Sequence, residues 1–130
     1  ARIGPMASAS FLDLTNLRDL EAVLGRDRVL HMVTTFLTDT RQRLATVTDA
    51  VAARDAEALL RESHTLKGSA GNLGAHALAD TAQEMVDLIR HDQSPAAFDL
   101  LPRLVADAAA VRSELIRNYP ESARTAALCP

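Results

Sequence analysis

The chain has 130 residues, enough for one domain with one core but too few for two. Ala (24) and Leu (19) dominate its 48% hydrophobic content, against only three Phe and one Tyr, so helices are favoured over strands. A net charge of −3 excludes the basic face of a nucleic-acid binder, the lone Cys129 excludes an intrachain disulfide, and no apolar run approaches the roughly 18 residues of a membrane span.

In chain order, Ala1–Ser10 is small-residue-rich and aperiodic, without the basic-then-apolar layout of a signal peptide. Residues 1–12 therefore read as a disordered linker or an expression scar. A short helix is expected over Thr15–Leu24, ended by Gly25. A long one follows over Asp27–Ala53, capped by Asp27, with an inward stripe of Val29, Val33, Leu37, Thr40, Leu44, Val47 and Val51. The next runs from an Asp55 cap to Leu73 and buries Ala56, Leu59, Ser63, Leu66, Ala70 and Leu73, with Gly74 as its stop. Ala75–His91 buries Leu78, Ala82, Met85 and Ile89. The last helix starts at Ser94-Pro95 and carries Phe98, Leu101, Leu104, Ala108, Val111 and Leu115 towards Tyr119-Pro120. Pro102 predicts a kink, or a restart capped by Asp99.

Short connections make these helices antiparallel neighbours. The expected fold is all-α, an up-down-up-down four-helix bundle over residues 13–120 with a short extra N-terminal helix. Residues 121–130 are expected to form a flexible tail.

The stretch from His64 to Gly74 (HTLKGSAGNLG) departs from bundle logic. With about 100° per residue and His64 at zero, Lys67 falls at ~−60°, Gly68 at ~+40° and Gly71 at ~−20°. Glu57 and Arg61 share that side, Leu60 lies ~40° from His64, and the inward stripe centres at ~230°. His64 thus points out of the bundle between two glycines. Each interior glycine costs about 0.5–1 kcal/mol against alanine, so its use in so alanine-rich a chain implies clearance for an approaching molecule.

Imidazole titrates close to neutrality, so an exposed histidine offers a neutral nucleophile at pH 7. A lysine one turn away suits an acceptor of an anionic phosphoryl group. Yet no G-x-x-x-x-G-K-[ST] loop is present and no acidic cluster for Mg²⁺ is evident. Donor, metal and most of the catalysis must then come from a partner.

The run His64-Thr65-Leu66-Lys67-Gly68-Ser69-Ala70, followed by Leu73-Gly74-Ala75, closely resembles the signature of histidine phosphotransfer (HPt) domains of multistep two-component phosphorelays. The resemblance extends over about Leu14–Tyr119. It implies a phosphoacceptor at His64, Lys67 as its electrostatic partner and Gly68 as the residue clearing space for docking. It also implies exchange of the phosphoryl group with a receiver-domain aspartate of a response regulator or hybrid histidine kinase. No cofactor of the chain's own is expected, Mg²⁺ belonging to the receiver. By the same resemblance the docking surface uses Leu17, Leu20, Met32, Phe36, Leu60, Arg61 and Gly71, and Gln83 is a candidate polar neighbour of the histidine. The implied setting is the cytoplasm, without nucleic acid or direct membrane contact, either free-standing or as the C-terminal module of a membrane-bound hybrid sensor kinase.

Two alternatives stand beside this expectation: an HPt-like module that binds a receiver without accepting phosphate, and the phosphoacceptor domain of a chemotaxis-type histidine kinase. His31, His76 and His91 lie on separate segments and lack metal-ligand spacing. Asp80, Glu84 and Asp87 read as a solvated acidic stripe.

Overall fold

The computed structural model describes residues 12–123, which form six helical segments. These are α1 (Leu14–Leu24), α2 (Arg26–Ala52), α3 (Ala56–Leu73), α4 (His76–Arg90), α5 (Ser94–Phe98) and α6 (Leu101–Asn118). Helices α2, α3, α4 and α6 make the bundle: α3 packs on α2 and α4, and α6 closes it against α4 and α2. Helix α1 packs on α2. The stripe residues of all four meet in one core, where Val29, Val33, Val47, Leu59, Leu66, Leu78, Met85, Leu104, Val111 and Leu115 are fully buried. Thr40, the polar member of the α2 stripe, is also buried, and its hydroxyl has no hydrogen-bond partner among the described residues.

Capping places two of the helix starts. Asp13 Oδ1 accepts from the Thr15 amide (3.0 Å), and Asp55 Oδ1 accepts from the Ala58 amide (3.0 Å), satisfying donors that a helix N-terminus leaves open. The expected cap at Asp27 does not form. Helix α2 starts one residue earlier, at Arg26, with Gly25 in the cap position, Asp27 inside its first turn and no side-chain cap bond. Gly25 has φ +89° and is shared between the end of α1 and the start of α2, which leaves no room for a separate cap.

The last helix is divided rather than kinked. It breaks between Phe98 and Leu101, and Pro102 sits in the first turn of α6, where its missing amide donor costs nothing. Asp99 ends α5 instead of capping the restart, and Gln93 rather than Ser94 precedes α5. At the edges of the described residues, Leu12 belongs to the core, Ser122 is buried, and Glu121 is exposed but accepts a hydrogen bond from Arg26. The other residues assigned to linker and tail, 1–11 and 124–130 with Cys129, lie outside the described residues.

Gly74 joins α3 to α4. It has φ +94°, the Ala75 amide donates to the Ala70 carbonyl (2.8 Å) and the Gly74 amide to the Gly71 carbonyl (3.2 Å), which is a Schellman ending. The Gly74 carbonyl then accepts from the Asp13 amide (2.8 Å), and a Cβ here would lie 3.1 Å from both Cβ and O of Asp13. Gly74 is therefore fixed twice, by its backbone angle and by the N-terminal segment laid against it. Gly74→Ala is expected to lower stability by about 1–3 kcal/mol, measured by urea denaturation. An unchanged midpoint would contradict this role.

At the same end of the bundle, Tyr119 is buried and its hydroxyl donates to Glu21 (3.1 Å). Arg26 stacks on the ring (4.9 Å) and pairs with Glu121 (3.0 Å), tying the α1–α2 junction to the C-terminal segment. Burial, followed by the bond to Glu21, raises the Tyr119 phenol above its ordinary range. A raised folded-state value stabilises the protein fully below the unfolded tyrosine pKa of about 10 and ceases to do so as pH climbs through the folded one. Wild type should therefore lose stability above about pH 10 more steeply than Tyr119→Phe, which should cost about 1 kcal/mol at neutral pH. Parallel pH slopes for the two proteins would contradict this.

Candidate functional site

Helix α3 is amphipathic in the phase its sequence predicts. Leu59, Ser63, Leu66, Ala70 and Leu73 are buried, so His64, one residue past Ser63, stands exposed near the middle of the helix. The hydroxyl of Ser63 donates to the sulfur of Met85 (Oγ–Sδ 3.6 Å), a buried contact between α3 and α4 one residue before the histidine. Lys67, one turn on, is half-buried. Gly68 and Gly71 are exposed, and a Cβ at either would meet nothing within 4 Å. Neither has positive φ, since only Gly25 and Gly74 do among the described glycines. Internal packing and backbone geometry thus require glycine at neither position.

Around the histidine, Arg61 is exposed and pairs with Glu57 (3.4 Å) one turn below it on α3. Leu60 is half-buried on the same face. On the α2 side, Arg43 binds Asp39 (2.9 Å) and Glu62 (2.9 Å), bracing α2 against α3 at this level. Burial opposes the Arg43 charge, but the two carboxylates outweigh it and raise its pKa. On α4, Glu84 is tied to Arg103 of α6 (2.7 Å), which leaves Gln83 on the other edge of that helix. The Gln83 amide donates to Asp87 (2.9 Å) rather than to His64. Of the acidic stripe, Glu84 and Asp87 are thus engaged in bonds.

Two residues expected on the docking surface lie elsewhere. Leu17 is fully buried, because it lies on the face of α1 that packs on α2, while its neighbour Asn16 donates to the Asn72 carbonyl (3.0 Å). Phe36 is buried on α2, where it lines a groove towards α6 with Val105, Ala108 and Ala109. Helix α2 contacts both α3 and α6, so its apolar face is wider than a single stripe and takes in Phe36. Leu20 and Met32 remain half-buried, and Met32 lines a hollow with Leu24, Arg28 and His31. Unforeseen was Val23, which is 82% exposed beside Leu24 at the end of α1. Its signal was available: an apolar side chain off the inward phase of its helix.

Among the described residues no group of three or more His, Cys, Asp or Glu side chains is placed to hold a metal ion, and no helix is long and apolar enough to cross a membrane. The family model of the Hpt domain matches residues 31–114, more than half of the chain. The chain belongs to the Hpt family. The crystal structure of histidine-containing phosphotransfer protein B (HptB) from Pseudomonas aeruginosa PAO1 has a TM-score of 0.81 to it, at 29% identity, over 87% of this chain and 97% of that one. No curated protein matches the chain. As an Hpt domain its function is histidine phosphotransfer in phosphorelays. It is a phosphoryl carrier rather than a catalyst, and such proteins interact with receiver domains.

Proposed function

We propose that His64 is the residue that carries the phosphoryl group, received from a receiver-domain aspartyl phosphate and passed to another receiver aspartate. The observation that carries this reading is the pairing of an exposed imidazole with the open space above Gly68 and Gly71. In the forward step a lone pair of the His64 ring attacks phosphorus, an N–P bond forms, and the P–O bond to the aspartate breaks. The electron pair leaves with the carboxylate, and the second transfer reverses these events on a new receiver.

Lys67 supplies positive charge beside the transferred group, favouring the anionic adduct. Gly68 lets the receiver's active-site loops come close to the imidazole. The chain needs no cofactor of its own in this scheme: the receiver brings Mg²⁺, and the sequence has no nucleotide loop to bind ATP. The docking surface comprises Leu20, Met32, Leu60, Gly68 and Gly71, with Gln83 at its α4 edge. The protein acts in the cytoplasm, alone or as a module of a hybrid sensor kinase.

The test is incubation of the chain with a radiolabelled phosphoreceiver and Mg²⁺. Label should move to this chain in a linkage that survives alkali and is lost in acid. Stable complex formation without any transfer would overturn the proposal.

A further inference from the structure

We propose that Arg61 is a second cation for the phosphoryl group on His64, held in reserve by Glu57 while the histidine is unmodified. The inference rests on the reading of His64 as the phosphoacceptor. Arg61 precedes His64 by three residues and Lys67 follows it by three, so the two cations flank the imidazole along one face of α3. Side chains at this spacing have Cβ atoms about 5–6 Å apart, within reach of an arginine stem.

The existing partner of Arg61 is weakly held. Its guanidinium lies 3.4 Å from Glu57, with the two side chains 64% and 86% exposed. Solvent screens such a pair, and its geometry is easily exchanged. A phosphoryl group offers about −1.5 to −2 charges and three acceptor oxygens, to which a guanidinium binds bidentately and more strongly than to one exposed carboxylate oxygen. When the N–P bond forms and the donor's P–O bond breaks, the charge arrives one turn from Arg61, which changes partner. Glu57 is then left as an unpaired carboxylate on the same face, so the phosphorylated and unmodified domains present different charge patterns to a receiver.

Phosphoramidate provides a test that needs no docking partner, since attack by the imidazole nitrogen breaks its P–N bond and releases ammonia. Wild type, Arg61→Gln, Glu57→Gln and the double variant are phosphorylated in this way, and the phosphoryl ionisation is followed by ³¹P NMR. The other charged groups on the flanking helices, Asp39 and Arg43 on α2 and Asp80 and Asp87 on α4, are common to all four proteins. A cation favours the dianion, so Arg61→Gln should raise the phosphoryl pKa by about 0.3–0.5 unit. Glu57→Gln should lower it in the wild-type background by more than in the Arg61→Gln background. Equal values for wild type and Arg61→Gln, or equal Glu57→Gln shifts in both backgrounds, would overturn the inference. Failure of wild type to take a phosphoryl group from either phosphoramidate or a receiver would overturn the His64 reading itself, and this inference with it.

Discussion

His64→Gln is expected to reduce receiver-to-chain phosphotransfer by on the order of 100-fold or more, to the detection floor, while circular dichroism and the denaturation midpoint stay close to wild type. The chemical half of this expectation follows from the nitrogen lone pair. A carboxamide has no comparable nucleophile, and none of the other described histidines shares the site: His31 is on α2, His76 starts α4 and His91 follows it. The structural half follows from exposure. The His64 side chain makes no hydrogen bond or ion pair among the described residues for the substitution to break, and glutamine is a good helix former. A variant that folds and still takes up label would contradict the site assignment.

Gly68→Gln should change stability and transfer in opposite directions. Open space above the Gly68 backbone means that a side chain meets no neighbour, and replacing an interior helix glycine removes a penalty of about 0.5–1 kcal/mol. The denaturation midpoint should therefore hold or rise. Transfer from a phosphoreceiver should nevertheless fall roughly tenfold or more, because the added side chain occupies the approach to the imidazole and displaces the reacting atoms. Labelling by phosphoramidate, which needs little clearance, should persist. Equal losses with both donors would place the defect at the histidine itself, and an unchanged receiver rate would remove the docking role of Gly68.

The bundle was legible because each long helix carries a continuous apolar stripe whose phase survives packing. In α3 the residues expected inside are the ones buried, save Ala56, which is only partly so, and this phase alone brought His64 to the surface. What one-helix phase could not show was how wide each buried face becomes once two neighbours press on it. Phe36 meets α6 as well as the core, and Thr81, buried on α4, binds Asp107 (2.5 Å) and accepts from Arg103 (3.1 Å). Both depend on contacts from a helix about 70 residues away for Phe36 and 22–26 residues away for Thr81, which a local pattern does not encode.

Helix ends were less legible for a related reason. Asp27 and Asp99 are good capping types in plausible positions, yet Gly25 serves two helices at once and Pro102 is absorbed in a first turn. Each boundary was settled by the geometry of the junction rather than by the preference of one residue. Gly74 shows the converse. Its role as a helix stop was visible in sequence, while its contact with Asp13 required knowledge of where the N-terminal segment lies.

The most direct measurement of the central claim is peptide fragmentation of the phosphorylated chain under neutral-to-alkaline conditions, locating the modified residue by mass spectrometry. The account predicts a phosphoryl group on the peptide containing His64. Modification at His31, His76, His91 or a carboxylate side chain, with His64 unmodified, would contradict it.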